Sequence, residues 1–217
     1  PALALIDSLK LKKKKKNRMP MDELVIRNLK SGSEWTIDSL KGYRLAEEGE
    51  WLAYQRTRKD SSLVVASLDG KKKYVLPSAS VYGFAKEKAA LYFVTKDTVK
   101  GKPGMYVWRA EAPQPVLVKE GKGVFVQPAF DKAGNKLAFL YTDNKKEKDY
   151  TLSLWISENG GESRELINRT TAGLPNGWVL SPNQPLNFSD DASRLFLGTA
   201  PAPLQKDTTI LAENRPN

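Results

Sequence analysis

The chain has 217 residues and a formal net charge of +10, with no histidine and no cysteine. Those two zeros exclude a Ser-His-Asp triad, imidazole acid/base chemistry, thiolate nucleophiles, disulfides and His- or Cys-ligated metals from this polypeptide. Hydrophobic residues make up 40% and charged residues 28%, enough to bury a core, and glycine and proline are near average abundance, so the chain is neither disordered nor of low complexity.

The sequence begins at Pro1 without an initiator methionine, as processing or an excerpt of a longer protein would leave it. The apolar start Ala2–Ile6 is too short for a signal core and has no basic residue before it. No stretch approaches the roughly 20 apolar residues of a membrane span. Next come Lys10, Lys12, Lys13, Lys14, Lys15, Lys16 and Arg18, seven cations that leave only +3 for the rest of the chain. The basicity is a local feature.

From residue 24 onward a unit of strands repeats. Leu24–Ile26, a turn at Ser31-Gly32 and Trp35–Ile37 read as a strand pair. Then Leu45–Tyr54 introduces a ten-residue motif that returns without a gap at Phe84–Phe93, Phe130–Phe139 and Phe188–Leu197. Each copy opens and closes on a large apolar residue, carries leucine at its eighth position (Leu52, Leu91, Leu137, Leu195) and has a polar turn between. A second strand pair follows each of the first three copies: Leu63–Leu68 with Lys73–Leu76, Met105–Arg109 with Pro115–Val118, and Leu152–Ser157 with Arg164–Ile167. Asp69-Gly70 and Asn159-Gly160-Gly161 are strong turn signals, because those residues tolerate positive φ. The copies are offset by 39, 46 and 58 residues, the last offset containing an insert, Thr170–Pro185, rich in Gly, Pro and Asn.

Four antiparallel strands recurring every ~40–50 residues predict propeller blades in preference to the hairpins of a sandwich. The expected organisation is one all-β propeller region over 1–217, a fragment of about four blades built from four-stranded sheets. It runs as an outer half-blade in 1–38, blades at about 43–76, 82–118 and 124–168, the insert at 170–185, an inner half-blade at 186–199 and a tail at 200–217. Seven blades at ~42 residues each would need about 290 residues. The two half-blades could pair into a closed four-bladed ring, but blades shaped for a wider circle would be strained there. An open arc is therefore favoured, its exposed apolar faces covered by a second chain or by the insert.

Between the second and third strands the loops carry Arg56, Arg58 and Lys59, then Lys96, Lys100 and Lys102, then Lys145, Lys146 and Lys148. Lys12–Lys16 and Arg18 fall at the corresponding place before the first strand pair. Asp60, Asp97, Asp143, Glu147 and Asp149 temper them, so they read first as solvated tips that discourage edge association, with a basic rim for an anionic partner as the alternative. No nucleophile elbow is present, since Ser31-Gly32-Ser33-Glu34-Trp35 lacks the second glycine, and no phosphate-cradling glycine loop occurs. Asp190-Asp191 falls in a strand-to-strand turn without the alternating ligands of a calcium loop. Trp108 and Trp155 occupy the same place in successive third strands and read as packing residues. No catalytic, cofactor or metal residue is nominated, no cofactor is expected, and the spread of aromatics opposes specific nucleic-acid binding.

The motifs Phe130–Phe139 and Phe188–Leu197 resemble the propeller repeat of prolyl oligopeptidase-like serine peptidases. The order of the lysine run, Met19–Leu24, Gly49–Tyr54, Gly198–Pro201 and Lys206–Thr209 resembles one bacterial branch of that family over essentially the whole chain. Members carry an N-terminal propeller that restricts access to a C-terminal α/β-hydrolase domain holding the triad. This chain has neither elbow nor histidine, so no catalytic residue carries over. The resemblance implies a noncatalytic portion that gates or selects peptide substrates, with the hydrolase domain of the same parent as its partner and a periplasmic or secreted location. A homo-oligomer is also compatible. The competing readings are a stand-alone propeller scaffolding protein partners and a polyanion-binding module using residues 10–18. Changing Lys12–Lys16 to Ser should move the unfolding midpoint by less than about 0.5 kcal/mol in a denaturant titration. Loss of a salt-sensitive polyanion affinity in that variant would favour the basic-rim reading instead.

Overall fold

The computed structural model describes residues 21–57, 61–99, 101–144 and 151–203, so Lys12–Lys16 and Arg18 lie outside the described residues. The described residues form strands and turns with no helix. The first sheet joins β1 (Asp22–Arg27), β2 (Glu34–Leu45), β3 (Trp51–Arg56), β4 (Ser62–Ser67) and β5 (Lys73–Ser78) in sequence order. The second holds β6 (Val81–Phe84), β7 (Ala90–Thr95), β8 (Gly104–Arg109) and β9 (Val116–Glu120), and the third β10 (Val124–Phe130), β11 (Lys136–Thr142), β12 (Ser153–Glu158) and β13 (Arg164–Ile167). A small last unit pairs β14 (Trp178–Leu180) with β17 (Thr199–Pro201), and β15 (Asn187–Phe188) with β16 (Leu195–Phe196). All pairings are antiparallel.

The pattern of burial explains why these sheets stack. A sheet with one wet face alternates buried and exposed residues. In β3, β4 and β11, runs of five or six consecutive residues are buried, so both faces of these strands are covered. The sequence supplies the material: Trp51-Leu52-Ala53-Tyr54, Leu63-Val64-Val65-Ala66 and Leu137-Ala138-Phe139-Leu140-Tyr141 are unbroken apolar runs. Trp51, Ala53, Leu63 and Val65 meet Leu91, Phe93 and Trp108 of the second sheet. The other side of that sheet, with Val94, Met105, Val107 and Val118, meets Phe125, Leu137, Phe139 and Tyr141 of the third. On the far side of the third sheet the small Ala138, together with Leu140, Leu152 and Leu154, packs on Leu180, Leu186, Phe188 and Leu195 of the last unit. Each fully buried Leu or Phe contributes about 1.5–3 kcal/mol. First strands approach most closely, β2 to β6 and β10 to β15, which sets an inner edge, leaving the fourth strands β5, β9 and β13 on the outside.

The turns between first and second strands interlock with one another and with the end of β8. Arg109 Nη2 donates to the carbonyl of Gly134 at 2.7 Å, Lys88 Nζ to Asn135 Oδ1 at 3.1 Å, and Lys136 Nζ to the carbonyl of Ala192 at 2.8 Å. The amide of Glu87 donates to the carbonyl of Lys132 at 3.0 Å, and their side chains form an ion pair at 3.1 Å.

The N-terminal face of the first sheet is covered over its outer strands by the chain's own first strand pair. β2 is one continuous strand of twelve residues that bends where Ser39 takes φ +53° and the register slips between Leu40 and Gly42. Its first half and β1 fold over the sheet, burying Ile37 with Leu52, Tyr54, Val64 and Ala66, and packing Leu24, Ile26 and Trp35 beside them. Trp35 Nε1 donates to the carbonyl of Leu68 at 3.0 Å, and the amide of Thr57 to the carbonyl of Ser39 at 2.8 Å. The outward face of the pair is mainly polar, with Thr36 beside Val25 and an Arg27–Glu34 ion pair at 3.2 Å. At the other end, part of the insert is a strand: β14 lies within residues 170–185 and delivers Leu180 to the core.

The chain is thus an all-β open propeller fragment. β1 pairs with β2 and β16 with β15, and the Val25–Phe196 pairing that would close a four-bladed ring is not made. Gly134 tests the interlocked turns, because its φ is +69° and a Cβ there would lie 2.8 Å from the Cβ of Ala85. Gly134→Ala should cost about 2–4 kcal/mol from left-handed strain plus overpacking. Gly32→Ala, at φ +72° in open space, should cost only about 1–2 kcal/mol. Urea unfolding of the two variants measures the difference.

Candidate functional site

The inner edge is where the first strands leave polar groups in reach of solvent. Arg44 is exposed on β2, flanked by Tyr43 and Leu45. In register Arg44 lies opposite Ala53 and Gly42 opposite Gln55, so Arg44 and Gly42 share the sheet face turned toward the second sheet. The hydroxyl of Tyr82 rests over Gly42, 3.9 Å from where a Cβ would stand. Within the second sheet, the hydroxyl of Tyr92, which faces Gly83 in register on the side turned to the third sheet, lies 2.7 Å from where a Gly83 Cβ would stand, so a residue with a Cβ there would have to displace it. Burial pushes both phenols above the ordinary tyrosine value, and the nearby charge of Arg44 partly offsets this. At neutral pH both phenols are protonated donors, Tyr82 on the face turned to the first sheet and Tyr92 on the face turned to the third, with Arg44 near both.

The sequence missed these three side chains. Gly42 and Gly83 inside first strands were the available signal, since glycine in a strand often marks a close approach of another group.

The residues that the sequence singled out are scattered. Among the loop cations, Arg56 pairs with Asp38 at 3.3 Å and Lys102 with Glu120 at 2.6 Å, so both are held by acids of their own sheet. Arg58, Lys59, Lys100, Lys145, Lys146 and Lys148 lie outside the described residues. Trp108 is fully buried against Trp51, with ring centroids 5.2 Å apart, and against Tyr74 at 5.6 Å. Trp155 is half-buried and lies under the ammonium of Lys119, 3.6 Å from the ring centroid, with Tyr141 on the same cation at 4.5 Å. Both tryptophans therefore pack between sheets. Asp191 accepts from Ser189 Oγ at 2.6 Å and from the amide of Ser193 at 3.1 Å, which lowers its carboxyl to about 2. It caps its own turn, and among the described residues no cluster of three or more His, Cys, Asp or Glu could hold a metal.

An open cleft of about 900 Å3 separates the tip of the N-terminal strand pair from the first sheet, lined by Asn28, Lys30, Trp35, Glu50 and Lys71 among others. Charges of both signs alternate around it, and Lys71 pairs locally with Asp69 at 3.6 Å.

No family model matches the chain, and no curated protein matches it. Similarity appears among solved structures. A prolyl endopeptidase structure, from an analysis of inter-domain dynamics in two such enzymes, aligns with 80% of this chain and 28% of its own at TM-score 0.51 and 13% identity. The tricorn protease aligns with 64% of this chain and 16% of its own, at TM-score 0.48 and 11% identity. The acylaminoacyl peptidase of Pyrococcus horikoshii aligns with 76% and 32%, at TM-score 0.43 and 14% identity. The chain spans less than a third of each of these proteins. At such identities the likeness is one of fold, and the matching parts are propeller domains.

The buried phenols make a pH prediction. Tyr141 donates to Asp143, and burial followed by that contact pushes its phenol up to about 12. With folded values above the unfolded value near 10, the unfolded chain loses its phenolic protons first, so stability present below pH 10 falls as pH rises from 10 toward 12. Urea midpoints should decline across that window, and Tyr141→Phe should flatten the decline.

Proposed function

We propose that the chain is the noncatalytic propeller portion of a prolyl oligopeptidase-like serine peptidase, selecting peptides for a hydrolase domain outside this sequence. The observation that carries the reading is the inner edge, where Arg44 and the Tyr82 and Tyr92 hydroxyls stand on closely stacked blade-like sheets. A peptide offers such an edge carbonyl oxygens along its backbone and a carboxylate at its end, both of which these donors suit. The fold likeness to a prolyl endopeptidase supports the assignment, as does the ordered set of motifs from Met19 to Thr209. On this reading the partners are peptide substrates and a hydrolase domain of the same parent, which is exported to the periplasm or beyond.

Catalysis must come from the missing domain, because serine without an activating base is a weak nucleophile. The 217-residue chain should not hydrolyse acyl-proline amide or ester reporters above the buffer rate. Extending the natural reading frame past Asn217 should reveal a Gly-x-Ser-x-Gly motif and a later histidine. A natural frame that encodes neither, or steady hydrolysis by the contaminant-free chain, would overturn the proposal.

A further inference from the structure

Arg44 stands at the inner edge without a counterion. Arg27, Arg56 and Arg164 each pair with an acid of their own sheet, at 3.2, 3.3 and 3.5 Å, and Arg109 donates to the carbonyl of Gly134. Arg44 makes no ion pair and no side-chain hydrogen bond among the described residues. Its surroundings offer it no acid. Of the described residues on the inner stretches of the first strands, 42–45 of β2, Val81–Phe84, Val124–Phe130 and Asn187–Phe188, Arg44 alone is charged. The bulge beside it adds a second cation, Lys41. Along the chain, Asp38 is taken by Arg56, and Glu47 lies beyond the end of β2 in the turn.

The two hydroxyls near Arg44 also lack partners. Tyr106 donates to the carbonyl of Lys102 at 2.8 Å and Tyr141 donates to Asp143, but the hydroxyls of Tyr82 and Tyr92 make no hydrogen bond among the described residues. Tyr82 lies opposite Phe93 in register and packs with it toward the first sheet, which sets its hydroxyl over Gly42, two residues from Arg44 on the same face. Tyr92 is on the other side of the second sheet, its ring 5.6 Å from that of Phe130, and the charge of Arg44 still reaches it across the edge. The face of β2 that carries Gly42 and Arg44 is turned to a complete four-stranded sheet, so two neighbouring units set this arrangement.

A fixed guanidinium beside hydroxyl donors, with no acid to neutralise it, attracts an anion and repels a cation. We propose that Arg44 is the specificity-determining residue of the inner edge and selects peptides that bring a carboxylate to it, with the Tyr82 hydroxyl as a second donor. The inference rests on the reading of this edge as peptide-selecting and adds the sign of the charge that it selects. The carboxylate belongs either to an acidic side chain or to the C-terminus of the peptide, because both present the same pair of oxygens to a guanidinium. One guanidinium and a hydroxyl match a single carboxylate. Tight binding of a nucleic acid would instead need many phosphates neutralised together.

The test is a set of N-acetylated tetrapeptides that differ only in Glu against Gln and in a free against an amidated C-terminus. Each is titrated into the 15N-labelled 217-residue chain at low salt, and affinity is read from the amide shifts of residues 42–45 and 81–84. A carboxylate that reaches Arg44 should tighten binding about fivefold over the peptide that has none. A gain from Glu alone identifies the side chain as its source, and a gain from the free C-terminus alone identifies the terminus. The gain should fade at high salt. Arg44→Gln should abolish it and leave the uncharged peptide nearly as before, because glutamine still donates. Arg44→Lys, which keeps the charge without the fork, should retain part of it. Lys73→Gln, the same loss of charge on the outer strand β5, should retain all of it. Arg44 and Lys73 are both exposed, so the rest of the amide spectrum should not move. If the peptides bind but no carboxylate gives a gain, or if Arg44→Gln leaves the gain intact, this inference is overturned and the peptide-selecting reading stands. If no peptide of the set shifts those amides, the peptide-selecting reading fails and takes the inference with it.

Discussion

Burial of the second and third strands on both faces is the constraint from which the rest of the structure follows. A strand such as Leu63-Val64-Val65-Ala66 has no face to give to water, so its sheet is stable only between two others. That requirement makes the sheets stack, and it makes every end of the stack a problem. The N-terminal end is solved by bending β2 at Ser39, so that one strand serves both the first sheet and the strand pair folded over it. The outer surface of that pair is largely polar, with Val25 exposed among Thr36, Arg27 and Glu34. The C-terminal end has the smaller cover, and Phe196 and Trp178 stand exposed there.

Packing and chemistry are separated in this arrangement. Aromatic groups at the level of Trp51, Tyr74 and Trp108 fill the space between sheets, and the Lys119–Trp155 contact does the same one layer on. Glycine at the inner edge instead leaves room for hydroxyls, and Arg44 stands among them. Function on such a scaffold is a matter of what the inner edge and the loops present, because the layers themselves are occupied by core.

The repeat was legible because its spacing is carried by residues that must be apolar. Leu52, Leu91 and Leu137 are each buried in their sheets, and the motif's first and eighth positions face each other in every copy. What could not be read was how the ends are finished. A period-2 pattern locates Trp35–Ile37 and Leu45 as strands but does not say that one continuous strand links them, since that depends on the positive φ of a serine, a residue with no strong preference for it. The same holds for Trp178–Leu180, whose strand pairing depends on a partner about twenty residues away and not on its own glycine-rich surroundings. The inner-edge donors escaped notice because Arg44, Tyr82 and Tyr92 share no sequence motif; the stacking of the first two sheets sets Tyr82 over Gly42, and strand pairing sets Tyr92 over Gly83.

The openness of the arc is the claim on which the account turns, and the absence of native cysteine makes it directly measurable. Cysteines introduced at Val25 and Thr36, which face each other across β1 and β2, should form a disulfide within one chain under mild oxidation. Cysteines at Val25 and Leu197, the positions that ring closure would bring opposite each other, should give no intramolecular disulfide in dilute chain. If the Val25–Leu197 pair closes within single chains as readily as the Val25–Thr36 pair, the fragment is a four-bladed ring and the open arc is contradicted.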